Sequence, residues 1–284
     1  MLEDERAPGG IIERAVTVFL AGAECPFTCS FCDLWRFTID GPTPSGALPI
    51  QLGAALEALR RPLPDRLKLY NASNFFDRRA VPPEDVPALA ELAEPFRSVT
   101  VESHASMIGA ETLEFAALLS GRLEVAMGLE TIHPEATTQL NKRLDLERFD
   151  RAAAFLAEHQ IDLRVFVLLG VPYVRAEQAV EWTVKTVEYA AARGAGRVAI
   201  IPVRGGNGEL ERLQQRGDFT APTLRQLERA IDQSLASPAV VTADLWDVER
   251  LPGCNACRGA RAARLARINV TGAAEPAVSC GVCA

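Results

Sequence analysis

The sequence predicts an α/β fold in which strands alternate with helices. Six short apolar runs are each followed by a stretch with helical periodicity, and this order implies parallel strands joined by crossover helices. Six such units fit an incomplete barrel, a partial (β/α)6 TIM-like barrel, with a C-terminal cysteine-rich metal-binding extension. The pattern of strands and helices also allows an open doubly wound sheet, which periodicity alone does not exclude.

The elements follow one another at regular intervals along the chain. The predicted strands are residues 16–20, 67–70, 99–101, 123–127, 165–169 and 198–201. The predicted helices, where apolar residues recur at helical spacing, are residues 50–59, 84–92, 111–119, 149–158, 177–192 and 222–235. Beyond residue 235 the alternation is lost. We therefore expect a barrel domain over residues 1–235 and a four-cysteine metal region over residues 236–284.

Composition and charge exclude several classes of protein. The 284 residues are 48% hydrophobic and 24% charged, which is ordinary for a globular enzyme and not for a disordered chain. A formal net charge of -7 argues against a generic nucleic-acid binder. The acidic start and the absence of a long apolar run in the sequence predict a cytoplasmic protein without a membrane partner.

Three of the seven cysteines form a triplet just after the first predicted strand. Cys25, Cys29 and Cys32 have the spacing C-x3-C-x2-C. A loop of this kind can direct three thiolates at one cubic 4Fe-4S cluster, which takes four ligands, so that one iron stays open. A structural zinc knuckle is the alternative, although zinc-finger cysteines are usually spaced as pairs.

The triplet, with the aromatic Phe31 before its last cysteine, resembles the motif of the radical S-adenosylmethionine (SAM) superfamily. This resemblance implies that SAM chelates the open iron through its amino and carboxylate groups. One electron, from a donor such as flavodoxin or ferredoxin, then breaks the sulfonium bond and gives a 5'-deoxyadenosyl radical. The partial barrel is typical of this superfamily, so the resemblance fits a partial barrel better than a full one.

Polar residues that follow the second predicted strand are candidates for binding SAM. Asn71, Ser73 and Asn74 lie where the superfamily usually has a glycine-rich segment that ends in an acid. These side chains offer acceptors for the SAM amino group in place of that acid. A turn in which they bond their own backbone is an equally good interpretation.

Two glutamates end the third and fourth predicted strands, and both are expected at the same mouth of the barrel. We expect Glu130 to accept hydrogen bonds from the SAM ribose, and Glu102 to contact the substrate or the SAM amino group. His104 is a possible proton carrier or hydrogen-bond donor, or else a plain surface residue. The sequence identifies no catalytic residue.

The last two strands end in small or rigid residues. Gly170 is expected to let the backbone approach the adenine ring, and Pro202 is expected to border that ring. The glycine-rich segment 204–208 has no Walker lysine, so we interpret it as a flexible strand-to-helix connection rather than an anion site.

The resemblance extends over roughly residues 16–205, and it can be narrowed to one subgroup of the superfamily. Four segments are similar to the elongator and methylthiotransferase subgroup: 101–103 (Val-Glu-Ser), 128–131 (Gly-Leu-Glu-Thr), 165–172 and 201–202. Within it they look most like the radical SAM subunits of archaeosine synthases, which are tRNA-modifying lyases. The substrate is therefore a nucleoside or tRNA, or else a small molecule or peptide. An iron-sulfur electron carrier or sensor is the non-enzyme alternative.

The other four cysteines form two C-x2-C pairs with 22 residues between them: Cys254, Cys257, Cys280 and Cys283. Four thiolates can bind either a second 4Fe-4S cluster or a structural zinc ion. The sequence favours the auxiliary cluster slightly, and we expect the bound metal to fix the tail over the barrel mouth. Between the pairs, arginines at positions 258, 261, 264 and 267 form either a solvated helix face or a contact for an anion such as RNA phosphate.

Overall fold

The computed structural model describes residues 1–283 and contains one eight-stranded sheet whose strands lie side by side in sequence order. Strand β1 (Leu2–Arg6) is antiparallel to β2 (Ile12–Leu20), and every later strand is parallel to its neighbour. The later strands are β3 (Arg66–Asn71), β4 (Ser98–Glu102), β5 (Arg122–Glu130), β6 (Asp162–Leu169), β7 (Arg197–Pro202) and β8 (Val240–Ala243). Because this order never reverses, the sheet is not doubly wound, and the predicted partial barrel is confirmed.

Helices follow the strands, and within residues 1–283 six of them match the predicted helices with bounds that differ by a few residues. The helices are α1 (Ala47–Glu57), α2 (Val86–Ala93), α3 (Ala110–Leu118), α4 (Pro134–Gln139), α5 (Leu146–Glu158), α6 (Ala179–Ala192), α7 (Glu209–Arg216), α8 (Leu224–Ser234) and α9 (Arg258–Thr271). Within residues 1–283, no helix is both long enough and apolar enough to cross a lipid bilayer.

Alternate residues of each strand face opposite sides of the sheet, and the two sides differ in chemistry. Val16 and Val18 of β2 and Leu67 and Leu69 of β3 belong to the main apolar core, which includes residues of the helices that follow. The residues between them, such as Lys68, face the barrel interior, where charged side chains meet. The helices are therefore held by ordinary apolar packing on the outer face, while the inner face is free for polar groups.

The interior at the N-terminal end of the barrel is filled by a buried ion network. Glu124 of β5 accepts hydrogen bonds from Arg66 at 3.2 Å, from Arg164 at 2.9 Å and from Arg197 at 2.6 Å. Thr100 of β4 donates a fourth bond to the same carboxylate at 2.9 Å. This network fills the N-terminal end of the barrel, and ligands of such barrels bind at the C-terminal ends of the strands.

Two strands of the sheet were not predicted from the sequence. Strand β1 is acidic because Glu3 and Glu5 point into the barrel, where both pair with Lys68 and Glu5 also pairs with Arg164. Strand β8 is a seventh parallel strand of only four residues. It lies beyond residue 235, so the sheet extends into the region that the sequence assigned to the metal-binding tail.

Helix α9 spans the gap between the two edges of the sheet, since it packs on both β1 and β8. The side chain of Asn269 accepts a hydrogen bond from the Ala243 backbone N–H and donates one to its carbonyl, both at 2.8 Å. These two bonds take the place of a neighbouring strand at this point on the edge of β8. The helix thus completes the wall that an eight-unit barrel would form with further strands.

Candidate metal and cofactor site

The loop with Cys25, Cys29 and Cys32 follows β2, at the C-terminal mouth of the barrel. All three thiols are partly buried, and burial raises their pKa, to about 12 for Cys29. A metal must therefore displace protons from these thiols when it binds. Phe31 packs against the apolar cluster that includes Leu140, which anchors the loop between its second and third cysteines.

Two asparagines from opposite sides of the barrel hold the cysteine loop. Asn74, after β3, donates from Nδ2 to Cys25 Sγ at 3.4 Å, and its Oδ1 accepts from the His104 backbone at 2.7 Å. Asn207, after β7, donates to the carbonyls of Ser30 at 2.8 Å and Cys32 at 3.3 Å. The amide atoms of Asn74 are thus engaged within the protein, where Nδ2 orients Cys25, and the contact of this residue with SAM stays a prediction.

The segment that contains Asn207 was predicted to be a flexible connection, and the structure contradicts this. Glu211 at the start of α7 accepts hydrogen bonds from the Gly206 and Gly208 backbone N–H groups at 2.6 and 2.7 Å. These bonds fix the turn that presents Asn207 to the cysteine loop. The backbone amides that might have bound an anion are occupied by the protein's own carboxylate.

Asn71 and Ser73 behave differently from Asn74. Asn71 is 6% exposed, and neither its Nδ2 nor its Oδ1 has a hydrogen-bond partner among the described residues. The Ser73 hydroxyl is likewise buried without a partner in this part of the chain. A buried polar group left unbonded costs about 1–3 kcal/mol, so native proteins rarely keep one without a purpose. These atoms have free capacity to bind a ligand, and they do not form the self-bonded turn that was the alternative interpretation.

Glu130 ends β5 in an unusual conformation. Its φ is +67°, in the left-handed region that non-glycine residues seldom adopt, and it lies at an irregularity of the β5–β6 pairing. Strain of this kind persists only where the surrounding structure holds the residue in place. The Glu130 side chain is buried, and its Oε1 accepts a hydrogen bond from Lys142 Nζ at 2.8 Å.

Lys142 is a site residue that the sequence analysis missed. Its side chain is 13% exposed. Burial lowers the pKa of Lys142, but the charges of Glu130 and Cys29 outweigh this effect, and the pKa is raised overall. A fixed ammonium group thus stands beside the cysteine loop. The sequence shows only a polar stretch, Asn-Lys-Arg at 141–143, and nothing in it indicates which of the two cations points inward.

Glu102 and His104 follow β4 on the same side of the mouth. Burial raises the pKa of Glu102 to about 8, although Lys68 and Lys142 act in the opposite direction. Burial and the nearby Lys142 lower the pKa of His104 to about 4, so its ring is neutral at pH 7. The ring accepts from the Ser106 backbone at 3.1 Å, lies 3.1 Å from the Lys142 carbonyl and stacks on Phe27. His104 is therefore buried and not a surface residue, while its role as a proton carrier stays a prediction.

Gly170 and Pro202 lie at the ends of β6 and β7 as predicted. Gly170 has a φ of +76°, and a Cβ at this position would lie 2.6 Å from the Pro222 ring. Close packing against Pro222 thus accounts for the glycine without a ligand. The approach of Gly170 and Pro202 to an adenine ring stays a prediction.

Aromatic rings occupy the middle of the barrel interior, above the ion network. Phe19 of β2 and Phe166 of β6 each meet Tyr70 of β3 edge to face at 6.3 Å between ring centres. Phe19 also meets Trp246, and these two side chains are 62% and 59% exposed. Exposed aromatic rings grouped at the mouth of a cavity are typical of a ligand site.

The tail cysteines come together as the sequence predicts. The sulfurs of Cys254, Cys257, Cys280 and Cys283 all lie within 4.8 Å of one another. The tail after α9 bonds to α8 and α9: Arg225 donates to the Cys283 carbonyl at 2.8 Å and Arg264 to the Pro276 carbonyl at 2.9 Å. These contacts place the tail against α8 and α9, and its position over the barrel mouth stays a prediction.

The arginines between the two cysteine pairs bind the protein itself. Arg261 and Arg264 are buried and both pair with Glu228 of α8. Arg267 is exposed but pairs with Glu275 at 2.7 Å. At Arg261 and Arg264 both interpretations from sequence are therefore wrong, because these side chains are neither solvated nor available to a phosphate.

Comparison with known proteins agrees with the predicted fold. No protein-family model matches the chain. Archaeosine synthase subunit beta from Methanosarcina acetivorans is 23% identical over 239 residues, which are 80% of this chain and 69% of that protein. The name of this relative is that of the proteins which the sequence motifs resemble, the archaeosine synthase subunits.

Solved structures with a similar fold include a radical SAM methyltransferase from Sphaerobacter thermophilus, with a TM-score of 0.56, 16% identity and coverage of 81% of this chain and 66% of that chain. Elp3 from Methanocaldococcus infernus gives a TM-score of 0.55, 17% identity and coverage of 80% and 56%. SuiB from Streptococcus suis gives a TM-score of 0.56 and 15% identity, with coverage of 85% of this chain and 50% of that chain. The chain thus spans about half to two thirds of these solved chains. At the level of the fold, the resemblance to radical SAM enzymes is confirmed.

Proposed function

We propose that this chain is a radical SAM enzyme that binds a 4Fe-4S cluster through Cys25, Cys29 and Cys32. The observation that carries the proposal is the position of this triplet at the mouth of a partial barrel, beside unbonded Asn71 and a buried Lys142. When bound, a cluster with three protein ligands would offer an open iron to SAM and pass on the electron that cleaves it, and the resulting 5'-deoxyadenosyl radical would take a hydrogen atom from the substrate.

The residues around the triplet have the chemistry to bind the polar groups of SAM. Lys142 offers an ammonium to the carboxylate of SAM, since a buried cation binds an anion with a charge-assisted hydrogen bond. Asn71 and Ser73 offer their unbonded oxygens to its amino group. Glu130 binds Lys142 through Oε1, which leaves Oε2 for a ribose hydroxyl. Asn74 holds Cys25 in the orientation that the cluster requires.

The interior of the barrel supports a substrate with a planar ring. Phe19, Tyr70, Phe166 and Trp246 present apolar ring faces and edges near the mouth. Glu102, which is protonated at neutral pH, can donate a hydrogen bond to a ring nitrogen or carbonyl. We propose a nucleobase-like heterocycle, carried by a nucleoside or tRNA. The similarity to archaeosine synthase subunit beta supports the same substrate class.

A small metabolite or a peptide is the second candidate, since the acidic net charge of -7 does not favour RNA. In either case, flavodoxin or ferredoxin is the proposed electron donor. An iron-sulfur electron carrier would need neither the open barrel nor the unbonded Asn71 and Ser73, so we place this alternative behind the enzyme.

Anaerobic SAM cleavage tests the proposal. The reconstituted protein, reduced with dithionite, should release 5'-deoxyadenosine from SAM, and the variant with Cys25→Ala, Cys29→Ala and Cys32→Ala should release none. The variant Cys280→Ala with Cys283→Ala is the matched control, since it removes two thiols of the other cysteine site and leaves the triplet intact, so cleavage above the level of the triple variant should remain. If the triple variant still produces 5'-deoxyadenosine, the cluster assignment is wrong.

The substrate class can be tested by hydrogen transfer. The substrate tested is tRNA that lacks late modifications, prepared from cells grown in deuterated medium. It should pass deuterium to 5'-deoxyadenosine and raise the yield of 5'-deoxyadenosine above the yield without substrate. Deuterated peptide and metabolite fractions are the comparison. Transfer from one of these fractions, but not from tRNA or nucleosides, would support the second candidate.

A further inference from the structure

We propose that Cys254, Cys257, Cys280 and Cys283 bind a single zinc ion in a tetrahedral site, and not a second 4Fe-4S cluster. The proposal is independent of the function proposed for the barrel. It concerns the identity of the metal in the tail, for which the sequence alone favoured iron and sulfur slightly.

The distances between the sulfurs carry the inference. Sγ of Cys257 lies 3.6 Å from Sγ of Cys283, and all four sulfurs lie within 4.8 Å of one another. Four thiolates around one zinc ion, with bonds of about 2.3 Å, are about 3.8 Å apart at the corners of a tetrahedron. In a cubic cluster each thiolate binds a different iron and points away from the centre, so the sulfurs are much farther apart. The observed spacing fits one ion.

The N-terminal triplet provides an internal comparison. Within residues 1–283, the tail cysteines are the one group of three or more His, Cys, Asp or Glu residues whose ligand atoms all lie within 4.8 Å. Cys25, Cys29 and Cys32 do not form such a group, so among the described residues the compact cysteine site is the one in the tail.

Hydrogen-bond donors surround the compact site and suit negatively charged thiolates. Arg261 donates from Nε to Cys257 Sγ at 3.1 Å, and the backbone N–H of Val282 donates to Cys280 Sγ at 3.5 Å. Arg261 also pairs with Glu228 of α8. This arrangement ties a metal ligand to its supporting helix, and such outer partners orient the ligands of structural metal sites.

The site has a structural position. It joins the start of α9 to the tail beyond this helix, and Arg225 of α8 binds the carbonyl of Cys283. Helix α9 in turn spans the gap between β1 and β8. A zinc ion here would hold α9 in place across the opening of the sheet, because metal binding to four thiolates supplies folding free energy directly.

Metal analysis of two variants tests the proposal. The chain should be produced with both zinc and iron in the medium, purified without oxygen and analysed for zinc, iron and acid-labile sulfide. In the variant with Cys25→Ala, Cys29→Ala and Cys32→Ala, about one zinc per chain should remain while iron and sulfide are lost. About four irons with sulfide in this variant would overturn the proposal, as would a protein free of zinc.

Cobalt(II) provides a second measurement that does not depend on the barrel cluster. The triple variant, grown with cobalt in place of zinc, should show the visible absorption bands of tetrahedral cobalt bound to four thiolates. The additional changes Cys280→Ser and Cys283→Ser should remove these bands and expose residues beyond α8 to limited proteolysis. A variant that keeps the bands would show that these cysteines do not form the site, and one that loses the bands but resists the protease as before would show that the metal does not hold α9 in place.

Discussion

The ammonium of Lys142 and the carboxylate of Glu130 form a buried ion pair, 2.8 Å apart, beside the cysteine loop at the mouth of the barrel. The pair joins the end of β5, in a strained conformation, to the segment between α4 and α5 that follows the same strand. Because Glu130 and Cys29 both raise the pKa of Lys142, the ammonium stays charged and in place. This is the one contact that most directly prepares the site for an anionic group.

We expect Lys142→Met to weaken SAM binding at least tenfold while leaving the iron content unchanged, since a hydrogen bond to a charged group contributes about 1.5–3 kcal/mol. Anaerobic equilibrium binding of SAM to the reconstituted protein provides the measurement. Lys185→Met is the control, because Lys185 forms an exposed pair with Glu181 on α6. Equal affinity in the two variants would assign Lys142 to stability alone.

Glu130→Gln should also weaken SAM binding, and its effect should not add to that of Lys142→Met. The two residues share one ion pair, so the double variant should lose less affinity than the sum of the single losses. Iron content should stay the same in all three proteins. Additive losses would mean that each residue acts on SAM, or on the fold, without the other.

Asn74→Ala should lower the affinity of the triplet for its cluster by about 10- to 100-fold, as is typical when a side chain that supports a metal ligand is removed. The change deletes the donor to Cys25 Sγ. Iron retained during dialysis against a chelator measures the effect. Asn141→Gly is the matched control, since Asn141 holds Thr28 of the same loop, contacts no sulfur and has a positive φ that glycine keeps. Equal retention in the two variants would contradict the role given to Asn74.

The sequence predicted the fold because outward-facing residues of the parallel strands, such as Val16 and Leu67, make plain apolar runs. It missed β1 because the glutamates of this strand face an interior lined with cations, which reverses the usual pattern. It missed β8 because four residues carry too little periodicity. For the site, the cysteine spacings were sufficient, whereas the role of Lys142 depends on a loop conformation that no local pattern indicates.

Glu124→Gln should destabilise the protein by about 3–5 kcal/mol, because it leaves buried Arg66, Arg164 and Arg197 without their shared partner. Denaturant unfolding without oxygen measures the change. Asp162→Asn removes an exposed pair with Arg122 and should cost no more than about 1 kcal/mol. A similar small loss for both variants would show that the remaining pairs of these arginines with Glu13 and Glu5 are sufficient to hold them.

The pH dependence of stability should reveal the raised pKa of Glu102. Burial raises its pKa from 4.5 to about 8 in the folded protein. Between these values the folded state keeps a proton that the unfolded state has released, so the contribution of Glu102 to stability falls as pH rises through this window.

Glu102→Gln removes this dependence. The difference in unfolding free energy between the wild type and this variant should therefore change by about 2 kcal/mol between pH 6 and pH 8, with the wild type losing stability as pH rises. A difference that is constant across this range would mean that Glu102 is ionised at neutral pH and cannot donate a hydrogen bond to a substrate.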